Sequence, residues 1–439
     1  MFNNNRLMKD KYFQRELMRQ IKKWIDRREI YAIKGPRQSG KTTLLIMLRD
    51  WLIEEKKVNP KNIIFITFED RENLEKFAAA PKEFIKSFIS DENQRYYFLL
   101  DEFQYVNNGG KELKLLYDEF ENIKFVITGS SSLELTSKTS KYLVGRMFSF
   151  YLYPFSFEES VKAIDERLAR LYKERNDIVK DFIQSGKEFK IKEDIFLKDF
   201  EKIFNEYVIF GGYPEVLKTD DIETKKVIIK NIYETYITRE IIELLKVHDI
   251  FKFRKLVSVL SSQLGGMAKY NELASSCDTY YKELIKMLEI LEETFIIKTI
   301  KPFHRNIKTE LRKNPKIYFI DLGLRNYAIN NFNPLKNRVD KGEIVENFVL
   351  SHLLIRDIGK LNYWRTLGKA EMDFVLTIGD EMIPIEVKYM KFKKTKLSKS
   401  FKSFISAYNP KRALVLTKDF WGKIKFNKTT VAFIPVCYI

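Results

Sequence analysis

The chain has 439 residues, room for two to four domains at about 150 residues each, and its 45% apolar and 31% charged content excludes global disorder. Lys and Arg outnumber Asp and Glu by 78 to 60, a net +18 that points to an anionic partner, nucleic acid or an acidic membrane surface, beside the plainer reading of a solvated Lys-rich surface. Cys277 and Cys437 cannot make a disulfide framework, three His add no basis for a zinc site, and no apolar run approaches the ~18 residues of a membrane span.

The N-terminus is charged through its first 30 residues, so no secretory leader is expected, and the chain reads as a soluble, cytoplasmic protein with no membrane partner. Leu7, Phe13, Leu17, Ile21 and Ile25 recur at helical spacing and predict an amphipathic helix over 6–28. Apolar strands then alternate with helices. Strands are expected at Ile30–Ile33, Ile63–Phe68, Tyr97–Leu100, Phe125–Thr128 and Phe148–Leu152, and a helix at Thr42–Glu54. Apolar runs without polar alternation suit a parallel sheet covered on both faces, an α/β fold.

Between the first strand and its helix stands Gly35-Pro36-Arg37-Gln38-Ser39-Gly40-Lys41-Thr42, followed by Thr43. This fits G-x-x-x-x-G-K-[ST] in the strand-to-helix context that the motif requires. Glycines let the backbone wrap a phosphate chain, and exposed N–H groups at a helix N-terminus stabilise its charge. Lys41 is expected on the β- and γ-phosphates of ATP and Thr42 on Mg²⁺. The strand Phe98–Leu100 ends in Asp101 and Glu102, candidates for holding Mg²⁺ through water and for deprotonating an attacking water. Thr128 or Ser130, ending the next strand, would sense the γ-phosphate, or simply end a strand in a turn. Arg146, after Gly145, offers a guanidinium from this subunit or a neighbour, with Arg239 a second candidate. Glu69 and Asp70 face the same cleft or a solvated loop.

This series resembles the AAA+ P-loop ATPases over residues 30–240. The runs Gly35–Leu45, Leu100–Gln104, Ile127–Ser132, Gly145–Arg146 and Pro154–Phe157, with Gly211–Pro214 and Lys316–Leu324, resemble a prokaryotic group in which such an ATPase is fused to a winged helix and a nuclease-like C-terminal domain. The resemblance implies an AAA+ parallel-sheet domain at 1–154, a helical lid or connector at 155–247, a winged helix at 248–330 and a nuclease-like domain at 331–439.

The residues themselves support parts of that plan. Residues 155–247 are helical and charged, broken at Gly211-Gly212-Tyr213-Pro214. Tyr270–Ser275 and Thr279–Leu291 predict two helices across a turn, and Thr294–Thr299 a strand, which is winged-helix patterning. From 341 the predicted order is αβββαβ: Lys341–Ile355, Leu361–Arg365, Met372–Thr377, Ile383–Tyr389, Ser398–Ala407 and Ala413–Leu416. Glu386-Val387-Lys388 puts its two charged side chains on one strand face, and hairpin pairing would bring Asp373 beside Glu386. Clustered carboxylates need a cation, and Mg²⁺ suits oxygen ligands.

This arrangement resembles the PD-(D/E)xK nuclease core, without its leading Pro, since Glu371 and Met372 precede Asp373. The match implies Asp373 and Glu386 as catalytic metal ligands, Lys388 as the catalytic lysine and Glu346 as the helix acid. Three outcomes stay open: active catalyst, degenerate DNA-binding fold, or a strand pair with salt-bridged edges. Trp364-Arg365 reads as core or substrate contact.

The charge has an address. Residues 298–439 hold 28 basic and 12 acidic residues, a net +16, which leaves +2 for the rest. Within them, 391–428 carry 12 basic residues and one acid, and 298–316 carry seven and one. Lys298, Lys301, Arg305 and Lys308 are wing candidates for phosphate contact, while the balanced charge of Thr279–Leu291 argues against base readout. The expected activity is ATP hydrolysis with DNA held by the C-terminal third and Mg²⁺-dependent cleavage in view, in a monomer or homo-oligomer. The alternative is a nucleotide-dependent switch whose C-terminal domain is an inert interaction module.

Overall fold

The computed structural model describes residues 12–130, 142–190, 194–236, 250–303 and 314–439. Arg239, Arg305 and Lys308 lie outside them. The chain divides into two compact units, one reaching to Phe155 and including Glu293–Phe295, the other comprising Ser156–Glu292 and Ile296–Ile439. The segments 155–247, 248–330 and 331–439, expected as three domains, thus fall almost wholly within one unit. Among the described residues no helix is long and apolar enough to cross a membrane.

The first unit is built on five parallel strands, β1 (Ile30–Lys34), β2 (Ile63–Thr67), β3 (Tyr96–Asp101), β4 (Ile123–Gly129) and β5 (Met147–Tyr151), in the order β2-β3-β4-β1-β5. Every residue of β1, β3 and β4 is buried, so these strands need apolar residues on both faces, as their sequences show. One face packs Leu44, Leu45, Leu48 and Leu52 of the Lys41–Glu54 helix. The other packs Phe77, Leu113 and Leu116 from the Arg71–Ala79 and Gly109–Glu119 helices. Of the helix predicted over 6–28, residues 6–11 lie outside the described residues, and within the described ones it runs Leu17–Lys23. The chain leaves helical geometry at Trp24 because it must reverse to enter β1, and Ile25 still packs in the core.

The second unit holds two polar joints that order its helices. Gly211 and Gly212 end the Leu197–Phe210 helix, and Asp321 precedes the Leu322–Ala328 helix. The Asp321 carboxylate accepts the Gly212 N–H at 2.8 Å and the Leu324 N–H at 3.1 Å. A Cβ at Gly211, where φ is +80°, would stand 2.3 Å from Asp321 Oδ1. Burial pushes Asp321 up to about 6, and the N–H groups of Gly212, Leu324 and Gly323 oppose the rise. Beside it, buried Arg325 pairs with Asp340 at 2.7 Å, and Asn326 donates to the carbonyls of Val208 and Ile209. At the second joint, His352 Nε2 accepts the Phe157 N–H at 2.8 Å while Nδ1 donates to Phe348 O at 2.8 Å. That fixes a neutral ring.

The Tyr270–Ser276 and Tyr281–Glu293 helices lead into the antiparallel pair β6 (Ile297–Ile300) and β7 (Lys316–Phe319). The helix Lys341–Arg356 then starts the expected series: β8 (Lys360–Arg365), β9 (Glu371–Ile378), β10 (Glu381–Lys388), the helix Lys399–Tyr408 and β11 (Arg412–Thr417). Two further strands, β12 (Gly422–Phe426) and β13 (Thr429–Pro435), complete a mixed sheet ordered β12-β13-β11-β10-β9-β8. Trp364 is core, packed edge-on against Phe404.

Burial holds His352 down at about 3 against an ordinary 6.5. Below the ordinary value the unfolded chain takes a proton that the folded chain refuses, so this histidine's contribution is present above 6.5 and is lost as pH falls toward 3. The stability advantage of the wild-type chain over His352→Gln, measured by urea unfolding near pH 7.5 and near pH 5, is expected to shrink by about 2 kcal/mol at the lower pH.

Candidate functional site

Parallel pairing puts the C-terminal ends of β1, β3 and β4 at one edge of the first sheet, and the polar residues of the sequence motifs gather there. The loop from Gly35 to Gly40 runs between β1 and the Lys41–Glu54 helix. Gln38 (φ 57°) and Gly40 (φ 93°) take left-handed geometry, which turns the chain tightly into the helix. Gly35 lies so close to the neighbouring chain that a Cβ would sit 2.1 Å from Leu152 O. Lys41 is buried and donates to Gly35 O at 3.1 Å and Pro36 O at 3.0 Å, curled over its own loop. Thr43 follows on the first turn of the helix.

Asp101 ends β3 between two hydroxyls. It accepts from Thr42 Oγ1 at 2.8 Å and from Thr128 Oγ1 at 2.6 Å. Burial raises its pKa, and the two hydroxyls hold it down. A hydroxyl and a carboxylate side by side at a phosphate-loop helix are the oxygen donors that Mg²⁺ takes when it keeps most of its water, so these residues fit the ion. Glu102 adopts left-handed geometry at φ 52°, an uncommon state for a non-glycine residue. Its N–H donates to Thr128 Oγ1 at 3.0 Å, and its carboxylate accepts from Gln104 Nε2. Gln104 also donates to Ser130 Oγ at 3.2 Å. The structure thus brings together Lys41, Thr42, Asp101, Glu102 and Thr128.

It does not bring Arg146 to them. Arg146 precedes β5, its carbonyl accepts the Ile30 N–H at the start of β1, and its side chain pairs with Asp118 at 3.1 Å. That is the opposite edge of the sheet from the loop, so within this chain the expected γ-phosphate contact is not made. Asp70 caps the Arg71–Ala79 helix by accepting the Glu72 N–H at 2.8 Å, and Glu69 is exposed.

A second charged cluster lies on β9 and β10. The β9–β10 register ends at Ile385 opposite Phe374, and one more step sets Glu386 across from Asp373. Asp373 Oδ2 accepts the Val387 N–H at 2.7 Å. Glu386 is buried and pairs with Lys388 at 3.4 Å. Glu346 accepts from Lys316 at 3.1 Å and from the Tyr318 hydroxyl. Lys316 also meets Glu371 at 2.7 Å, and Glu371 meets Arg365 at 3.2 Å. Desolvation and the nearby charge of Glu346 push Asp373 up to about 7, against the pull of Lys316, the Val387 N–H and Lys388. Burial alone would lower Lys316, but Glu346, Asp373 and Glu371 hold it above the ordinary lysine range. Among the described residues, no three Asp, Glu, His or Cys are grouped to hold a metal ion. Lys316 supplies a positive charge beside Glu346 and Glu371.

Residues 27–161 match a family described as AAA domain. Residues 27–161 are an AAA-type ATPase domain. Residues 201–335 and 341–437 match two domains of unknown function, DUF8612 and DUF4143. An uncharacterized Haemophilus influenzae protein is 26% identical over 384 residues, covering 85% of each chain. The uncharacterized protein MJ1544 of Methanocaldococcus jannaschii is 26% identical over 368 residues, 82% of this chain and 75% of its own. The Walker-type ATPase PABY2304 of Pyrococcus abyssi aligns over 72% of this chain and 96% of its own, at 17% identity and a TM-score of 0.44. The Orc1 protein of Aeropyrum pernix, solved in complex with DNA, aligns over 71% and 91%, at 12% identity and a TM-score of 0.31.

The ATPase domain uses residues that sequence reasoning missed. Arg15 donates to Ser39 O at 2.6 Å and to Tyr153 O at 2.6 Å, and its guanidinium lies over the Phe155 ring. It ties the phosphate loop to the segment after β5. Arg37, one of the residues expected in the phosphate loop, reaches the Tyr105 hydroxyl at 3.1 Å. No motif marks Arg15, whose nearer partner is 24 residues away, whereas Gln104 stands two residues after Glu102 and was within reach of a spacing argument. Removing the Arg15 clamp frees the loop to sample other shapes. Arg15→Ala is expected to weaken binding of a fluorescent ATP analogue about tenfold by titration, the scale of a lost charge-assisted hydrogen bond.

Proposed function

We propose that the protein binds and hydrolyses ATP in its AAA-type domain and holds DNA through its C-terminal third. The observation that carries the first half is the bonded set Thr42–Asp101–Thr128 at the mouth of the phosphate loop. In this reading Lys41 uncurls from Gly35 and Pro36 to meet the β- and γ-phosphates, and backbone N–H groups of the loop through Thr43 cradle the rest. Thr42 and Asp101 would hold Mg²⁺, which neutralises phosphate charge when bound. Glu102 orients the attacking water and takes its proton, released for that task from Gln104. Thr128 reports on the γ-phosphate through its bonds to Asp101 and the Glu102 N–H. Arg146 has a role only on a neighbouring subunit's nucleotide, which requires a homo-oligomer.

The DNA half is supported by free charge. Lys393, Lys394, Lys396, Lys399 and Lys402 are exposed, and among the described residues no ion pair engages them. Lys298, expected at a wing, is instead engaged by Glu292 at 2.5 Å. The αβββαβ order and the Asp373–Glu386 juxtaposition support a nuclease-like layout with a winged-helix hairpin beside it. The carboxylates as arranged do not fit Mg²⁺, so we read the C-terminal domain as one that grips DNA without cutting it. This draws on the switch reading, in which that domain is catalytically inert.

Lys41→Ala is expected to abolish ATP binding and hydrolysis. Glu102→Gln should keep binding and lose turnover by about 10²- to 10⁴-fold in a phosphate-release assay. Equal losses in binding for both variants would contradict the assigned roles.

Phosphate contacts release counterions, so duplex affinity should fall with salt. Replacing Lys393, Lys394 and Lys396 by Ala should flatten the log–log slope by about 3, roughly one per contact, in fluorescence anisotropy. An unchanged slope would remove DNA from the function and leave a protein-interaction module.

A further inference from the structure

We propose that Lys316 is the built-in cation of the C-terminal acidic cluster, standing where a divalent ion would otherwise bind, and that its removal unmasks a metal site at Glu346, Glu371 and Asp373. Lys316 opens β7, outside the αβββαβ series, yet its Nζ lies 2.7 Å from Glu371 and 3.1 Å from Glu346. Its side chain is only 5% exposed. A lysine so far out of water is tolerated only where carboxylates meet it, and the same carboxylates would be costly to bury without it.

The surrounding chain fixes the ammonium in place. Lys316 forms a bridge with Met267, and the Gly265 N–H donates to Ile317 O at 3.0 Å. Gly265 lets the chain come close, since a Cβ there would sit 3.2 Å from the Tyr318 ring and 3.5 Å from Glu346. Tyr318, two residues on and on the same strand face, donates its hydroxyl to Glu346. Glu371 and Asp373 likewise share one face of β9. The Lys316 ammonium also lies 5.6 Å from the centre of the Tyr363 ring, which closes another side.

Charge balance completes the case. With every carboxylate ionised, Glu346, Glu371, Asp373 and Glu386 carry four negative charges, and Lys316, Arg365 and Lys388 three positive ones. The residual of one negative charge does not call for a divalent cation. Without Lys316 the cluster carries two, on oxygen ligands, which matches Mn²⁺ or Mg²⁺.

The test uses the nucleotide-free full chain and Mn²⁺ as probe, read by electron paramagnetic resonance. The wild type is expected to show no Asp373-dependent Mn²⁺ site. Lys316→Met should gain one, at least about tenfold tighter than any wild-type binding, and Lys316→Met with Asp373→Asn should lose it again. Circular dichroism checks folding, and Lys316→Gln serves if the methionine variant does not fold. An Mn²⁺ site in the wild type that vanishes in Asp373→Asn overturns the proposal without any Lys316 variant. So does a folded Lys316 variant that binds no Mn²⁺. The readout is independent of DNA binding, so failure of the DNA reading would leave this result unaffected.

Discussion

Asp321 is a buried carboxylate, and the protein satisfies it with N–H groups from two places far apart in sequence, Gly212 and Leu324. That requirement fixes much of the second unit. The glycine at 211 exists because any side chain there would strike the carboxylate, and Gly323 lies against Phe210 O for the same reason of space. The Leu197–Phe210 and Leu322–Ala328 helices must then meet end to end, and Asn326 and Arg325 reinforce the seam with backbone and ion-pair contacts. The two sequence runs Gly211–Pro214 and Lys316–Leu324 are therefore halves of one joint. The joint also aims β7, whose first residue reaches the acidic cluster.

The sheet of the first unit was legible because its signal is local. A strand covered on both faces has to be largely apolar, and Tyr97–Leu100 and Phe125–Ile127 leave few other readings. The αβββαβ series was legible for a similar reason, with boundaries within a residue or two. The N-terminal helix was overdrawn because periodicity continues through Ile25, which packs in the core from a turn rather than from a helix. The gathering of the last three expected segments into one compact unit was not legible, for another reason. Composition changes along the chain, but compactness depends on contacts such as Asp321–Gly212 and His352–Phe157, which no stretch of sequence displays.

The same contrast runs through the two charged sites. Gly35–Thr42 and Asp101–Glu102 could be named from spacing because each sits at a strand end that the fold gathers on one edge. Arg15 and Lys316 could not. Arg15 meets Ser39 and Tyr153, and Lys316 meets Glu346 and Glu371, across 24 to 138 residues. Sequence reasoning named the carboxylates Glu346, Asp373 and Glu386 and asked for a cation, Mg²⁺. Lys316 was counted only in a run noted for its resemblance and in the basic segment 298–316. Glu371 was read as a departure from a motif, although its place two residues before Asp373 puts it on the same face.

Lys316 belongs to the 201–335 match, or DUF8612 region, while its carboxylates belong to the 341–437 match. The two stretches are distinct as families but not as electrostatic units. Grafting 341–437 onto another chain would part the acids from their ammonium, and an exchange of modules during evolution would have to carry β7 along with the sheet it neutralises.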